Sequence, residues 1–167
     1  MKIGGIEISG PNKVTRVFPR ESGDDIVIQA IAVRNLEELE DRLPEPMPPV
    51  AMGKGREEVK NFNDPNYKAQ LMNYQLRRMA WLVLKSLEPS NIEWETVDMD
   101  TPSTWLNYKT ELEAAGFSHV ELNLIGNAVM QANALDEEKL EKARQSFLRG
   151  QAVASDTSGQ NTQAQSS

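Results

Sequence analysis

Four carboxylates in a short acidic segment come closest to the spacing that a chemical site would need. Glu93, Glu95, Asp98 and Asp100 lie within the sequence NIEWETVDMDT. Hard divalent cations bind several oxygen ligands, so this cluster predicts either a cation site or a solvated acidic surface that faces a basic partner. The segment lacks the glycine that the tight turn of a D-x-[DN]-x-[DN]-G loop requires, which favours the acidic surface.

Two further motifs could take part in chemistry but have simpler interpretations. His119 is the only histidine, and the chain contains no cysteine. At the start of a predicted helix, His119 is better interpreted as a surface residue than as a general base. Gly53-Lys54-Gly55 lacks the G-x-x-x-x-G-K-[ST] spacing of a phosphate-binding loop and predicts a hinge. We therefore predict a protein that is not an enzyme and has no catalytic, cofactor-binding or metal-binding residues. A divalent-cation enzyme or sensor built on the acidic segment stays as the alternative.

Composition narrows the class of partner. The chain has 167 residues, 39% of them hydrophobic, and a net charge of −7. Such an acidic chain repels phosphate backbones, so we predict no nucleic-acid partner. Because no apolar stretch approaches ~20 residues, we predict no membrane span. The alternating start MKIGGIEISG is unlike a signal peptide, and the absence of cysteine fits a reducing compartment.

The first part of the chain predicts strands and then a stiff connector. Residues 1–42 predict a small antiparallel β segment followed by a short helix. The predicted strands are Lys2–Ser9, Lys13–Phe18 and Asp25–Val33, and the predicted helix is Leu36–Arg42. Residues 43–62 begin with LPEPMPPV and contain Gly53 and Gly55, which predicts an extended connector rich in proline and glycine.

Residues 63–150 predict a helical domain. Asp64-Pro65 is an N-cap followed by proline and predicts a helix to Leu87. Further helices are predicted from Thr101-Pro102 to Gly116, from a capping box at Ser118 and Glu121, and from Asp136 to Gly150. The predicted fold is therefore mainly α, a bundle of about four helices behind the β segment. Residues 151–167 are polar and predict a disordered tail.

The segment Met79–Leu84 (MAWLVL) is apolar on every side, so neighbouring residues must cover it. The spacing of Trp81, Trp94 and Trp105 indicates core residues rather than a sugar-binding platform. The helix is therefore predicted to lie at the centre of the fold or in an interface, and self-association is one such interface. A basic edge on the same helix, formed by Lys68, Arg77, Arg78 and Lys85, predicts either contact with the acidic segment of this chain or a neighbouring one, or a solvated helix edge. The candidate partner-binding residues are Leu71, Tyr74, Arg77, Arg78 and Trp81.

An ordered set of motifs resembles a known family. The set comprises LPEPMPPV, FNDPNYKAQ, RRMAWLVLKSL, EWETVDMDTPSTW, AGFSHVEL and NALDEEKLEKARQSFLRGQ. Over about residues 25–150 this order resembles the tail assembly chaperones that long-tailed bacteriophages encode in their tail gene modules. Each motif alone consists mainly of helix caps and core residues.

The resemblance implies a protein of the host cytoplasm that binds the phage tape-measure protein or other tail proteins. Such a chaperone keeps the long tape-measure helix soluble until tail-tube subunits polymerise around it. The family provides no catalytic residues. The predicted N-terminal strands depart from a purely helical chaperone, which leaves open a structural component of the virion tail or neck that docks by strand addition.

Overall fold

The computed structural model describes residues 1–55 and 57–134, together with Glu138, Glu141, Lys142, Arg144 and Gln145. Residues Met1–Asn133 form one compact unit, and a second unit begins at Ala134. The described residues from Glu138 onward are helical, and Lys142 forms an ion pair with Glu138 at 2.6 Å. The remainder of the helix predicted to reach Gly150, and the predicted tail 151–167, lie outside the described residues.

Six strands form three separate antiparallel hairpins in the described residues. The strands are β1 (Lys2–Ile3), β2 (Ile6–Glu7), β3 (Lys13–Phe18), β4 (Ile26–Ile31), β5 (Val50–Met52) and β6 (Glu58–Lys60). The predicted strand Lys2–Ser9 is two strands, because Gly4 and Gly5 adopt positive φ and turn the chain. The strand predicted over Lys13–Phe18 is confirmed.

Within Met1–Asn133, apart from Arg56, the structure has four α-helices, and two of them begin at the caps that the sequence predicts. They are α1 (Glu37–Arg42), α2 (Pro65–Ser86), α3 (Asn107–Ala114) and α4 (His119–Ala132). Asp64 caps α2 by accepting a 2.9 Å hydrogen bond from the N–H of Tyr67. Ser118 and Glu121 form the predicted capping box of α4. The predicted helix from Thr101 starts later, because Pro102–Thr104 forms only a 3₁₀ turn before α3.

The main core lies where the β3–β4 hairpin packs against α4 and the end of α2. Phe18, Ile28 and Ala30 of the hairpin are buried together with residues of both helices. Beside it, a second cluster surrounds Trp81 and Trp105, both fully buried. Leu39 of α1 and partly buried residues of the loop before α3 complete that cluster.

The predicted four-helix bundle is wrong, and the fold is an α+β mixture. Two of the helices, α1 and α3, have only six and eight residues and cannot provide the long seams of a bundle. The apolar sides of α2 and α4 are shared with the β3–β4 hairpin, so a strand pair occupies a place that a bundle would give to a helix.

The predicted connector also contains pairing that the sequence did not reveal. Prolines end at Pro49, and β5 begins at the next residue. The glycine-containing segment after Met52 turns the chain, so that Val50–Met52 and Glu58–Lys60 pair in register. The β-branched Val50 and Val59 favour strands, so this hairpin forms once the prolines have ended.

Replacing Trp81 with alanine should lower the free energy of unfolding by ~3–5 kcal/mol, because the change leaves a cavity in the second cluster. Urea or thermal unfolding followed by circular dichroism measures this loss. The exposed Met72 on the same helix provides the control, and Met72→Ala should change stability by less than ~0.5 kcal/mol. An unchanged melting temperature for Trp81→Ala would contradict the burial of the indole.

Candidate functional site: the exposed face of helix α2 and its groove

Helix α2 consists of two halves in different surroundings. Its C-terminal half is covered by the rest of the fold, since Ala80, Trp81, Val83 and Leu84 are all buried. The prediction that neighbours shield the segment from Met79 is therefore confirmed from Ala80 onward. In the N-terminal half, Tyr67 is the buried residue, and it contacts Phe62 with ring centroids 6.3 Å apart. The first turns of α2 thus extend beyond the core.

Three large apolar side chains follow one another along α2 before its covered end. Met72 is 63% exposed, Leu76 48% and Met79 45%. Steps of four and three residues place them on a single side of the helix, which we call the α2 face. Single exposed apolar residues are common, but an aligned set on one helix marks a surface suited to a partner.

The α2 face continues into a groove of about 490 Å³ bounded by α2, α3 and α4. Met79 belongs to both, which makes the two surfaces continuous. Lys109, Glu113 and the exposed His119 contribute polar groups to the groove. Its apolar lining includes Met79, Val83, Tyr108, Leu112, Leu122 and Met130. The flexible side chains of Met79 and Met130 in this lining suit a surface that adapts to a helical ligand.

The predicted partner-binding residues occupy different environments. Trp81 is fully buried in the second cluster and therefore supports the fold from inside. Leu71, Tyr74 and Arg77 are half-buried, and Arg78 is exposed. None of these five belongs to the α2 face. The helical spacing of Met72, Leu76 and Met79 was the sequence feature that could have identified this surface. The same spacing continues to the buried Leu87, so by itself it indicates a side of the helix that packs in the core.

The acidic segment is held by hydrogen bonds from its own loop and from neighbouring helices. Asp98 accepts hydrogen bonds from the Thr101 hydroxyl at 2.6 Å and the Asp100 N–H at 2.9 Å. These bonds, the Thr101 contact first, lower the pKa of Asp98. Asp100 in turn pairs with Arg42 of α1 at 2.5 Å. Within residues 1–55 and 57–134, no three histidine or acidic side chains converge as metal ligands.

Lys85, at the C-terminal end of the basic edge of α2, pairs with Glu38 of α1 and with Glu88 rather than with the acidic segment. Lys85 binds Glu38 at 2.9 Å and Glu88 at 2.7 Å. Glu38 also pairs with Arg42, so one carboxylate joins α1 to the end of α2. The hydrogen bond from Lys85, followed by that from Arg42, holds the pKa of Glu38 below its ordinary value.

No protein-family model, curated protein or solved structure matches the chain. Of the helices in the described part of the chain, none combines the length and the apolar character that a membrane crossing requires.

Glu38 should make stability depend on pH. Because its pKa is lowered in the folded state, its contribution is present above the unfolded value of about 4.3 and is lost as pH falls through the folded value. Glu38→Gln should cost about 1 kcal/mol or less near neutral pH and flatten the loss of stability in acid. Urea unfolding across this pH range measures both effects.

The matched control is Glu40→Gln, at an exposed position of the same helix. This variant should follow the wild-type curve in shape. If Glu38→Gln kept the full acid dependence of the wild-type protein, the ion pairs of Glu38 would have no part in it.

Proposed function

We propose that this protein is a non-catalytic tail assembly chaperone that binds the phage tape-measure protein in the host cytoplasm. The observation that carries the proposal is the α2 face, an aligned set of exposed apolar side chains that continues into an apolar groove. The motif order described above, which resembles the chaperone family, supports the same function.

A helical client fits this surface by its chemistry. Amphipathic helices bind grooves through apolar anchors spaced three and four residues apart, and the α2 face presents apolar side chains at the matching spacing. Fully burying a leucine or methionine side chain contributes ~1.5–3 kcal/mol, so a few such contacts support reversible binding once the cost of association is subtracted. Reversible binding is what a chaperone requires, since its client must later be released.

The acidic surface is compatible with this role. The chain carries a net charge of −7, which opposes the aggregation of a complex that contains a long apolar helix. In the groove, Lys109 and Glu113 offer charges of both signs near an apolar floor. Such polar groups fix the orientation of a helix more than they add to its affinity.

One observation favours the alternative, a structural component of the tail or neck. The β1–β2 hairpin at the N-terminus is exposed along both strands, with Ile3 and Ile6 open to solvent. A strand pair with free edges is suited to strand addition onto a neighbouring subunit.

Charging the α2 face should abolish client binding. In the double variant Met72→Glu/Leu76→Glu, two carboxylates would have to be desolvated against the client helix, and we expect at least about a tenfold loss of affinity. Co-expression with the tape-measure protein, followed by measurement of soluble client and of co-purification, tests this. The matched control is Val120→Glu, an exposed apolar position on α4 that does not line the groove.

The control variant should retain the client, and both variants should keep the wild-type melting temperature because the three positions are exposed. Equal retention of the tape-measure protein by the double variant and the wild type would overturn the assignment of the α2 face.

Mass spectrometry of purified phage particles separates the chaperone from the virion component. A chaperone should be found with the tape-measure protein in infected cells and be missing from finished particles. Its presence in particles at stoichiometric copy number would support the structural role instead.

A further inference from the structure

The β5–β6 hairpin stands apart from the core. All six of its strand residues are exposed, including the apolar Val50, Met52 and Val59. An isolated two-stranded hairpin is only marginally stable in water, and three or more strands are usually needed. The hairpin therefore has a physical reason to acquire further strands, and its free edges determine which strand fits.

The hydrogen bonds of the hairpin show which backbone groups remain on its outer edge. The N–H of Gly53 donates to the carbonyl of Glu57, and the N–H of Asn61 donates to the carbonyl of Pro49, both at 2.8 Å. Because bonded and non-bonded pairs alternate in an antiparallel ladder, Val59 directs its backbone groups toward β5.

It follows that Glu58 and Lys60 direct their backbone groups to the free edge of β6. In the part of the chain that the structure describes, no backbone hydrogen bond from outside the ladder reaches the N–H or C=O of either residue. This edge therefore offers two donors and two acceptors in the spacing that an added antiparallel strand requires.

We propose that β6 pairs with β6 of a second copy of this chain, around a two-fold axis at Val59. In that register Glu58 lies opposite Lys60 of the second copy, and Lys60 lies opposite Glu58 of the second copy. The outward N–H and C=O groups of both residues then bond each other across the axis. The two hairpins become one four-stranded antiparallel sheet. This proposal goes beyond the function proposed above and does not depend on it.

Charge complementarity is what selects a second copy. Opposite charges directly across an antiparallel pair stabilise it, and like charges destabilise it. The sequence Glu-Val-Lys is complementary to itself when read in the antiparallel direction, because the two-fold axis exchanges its acidic and basic ends. The Val59 side chains of the two copies meet at the axis as a non-bonded pair, where side chains approach most closely.

The edge of β5 is less suited to the same pairing. Pro48 precedes β5 at a position whose backbone also faces outward, and proline has no N–H to donate. Four prolines between residues 44 and 49 further restrict that edge. The edge of β6 is therefore the one that a second copy can use.

Sedimentation velocity of the full chain over a range of concentrations tests the proposal. Pairing along a short strand buries less surface than stable complexes do, so the wild-type protein should show a monomer–dimer equilibrium that shifts with concentration. Glu58→Lys sets lysine against lysine across the axis, and Lys60→Glu sets glutamate against glutamate. Each single variant should raise the dimer Kd about tenfold or more.

Mixing the two single variants provides the decisive measurement. In a mixed dimer, every charge faces its opposite again, so the mixture should dimerise with about the wild-type Kd although neither variant does so alone. The exchange variant Glu58→Lys/Lys60→Glu should also recover dimerisation. The matched controls are Glu7→Lys and Lys2→Glu, which make the same charge changes in the β1–β2 hairpin and should leave the Kd unchanged.

Two results would overturn the proposal. One is a wild-type protein that stays monomeric at every soluble concentration. Another is a dimer whose Kd is the same in the wild type, the single variants and their mixture, which would place the contact elsewhere. If the wild type is monomeric and both single variants lose a client protein, the edge of β6 binds a strand of that client instead of a second copy.

Discussion

The contact between the β3–β4 hairpin and helix α4 is the constraint on which the rest of the structure depends. Small residues line it: Ala30 on the strand and Ala128 and Ala132 on the helix are almost fully buried, which lets the two backbones approach closely. Its polar ends are also satisfied, because the Asn12 amide donates to the last carbonyls of α4 and Asn133 accepts from the N–H of Val33 at 2.8 Å. Alanine at these positions removes the steric barrier, and the asparagines remove the cost of burying free backbone groups.

The position of α2 follows from that contact. Its C-terminal end lies between the main core and the second cluster. Val83 and Leu87 belong to the main core, and Trp81 and Leu84 belong to the second cluster. A helix of 22 residues is about 33 Å long, which exceeds the width of such a core. The part of the helix that exceeds this width must extend into solvent. Because apolar residues recur along one side of the helix, that part also exposes apolar side chains. The exposure of the α2 face is thus a consequence of helix length and anchoring.

Local signals in the sequence predict two of the helix starts and the strand Lys13–Phe18, whereas the assembly of these elements depends on distant contacts. Asp64-Pro65 and the Ser118–Glu121 box mark two helices correctly because caps act within a few residues. The predicted bundle was wrong because periodicity shows that a helix has an apolar side, but a strand pair covers that side as well as another helix does. Met72 and Val83 lie on one side of α2, and the first is exposed whereas the second is buried. Helical spacing could not distinguish them, because it does not show which part of that side other elements cover.

The two proposed surfaces together bear on how a small acidic protein could hold a long client. One α2 face provides only a few apolar contacts, and each contact is weakened by the entropy lost in ordering flexible methionine side chains. Pairing through β6 would place two α2 faces in one dimer. Both faces would stay free to bind, because the edge of β6 and the α2 face share no residue. A long helix with repeated apolar anchors would then meet two linked sites, and the second contact would benefit from a high effective concentration. Weak individual contacts would hold the client firmly as a set, while each one would still open readily when tube subunits compete for the helix.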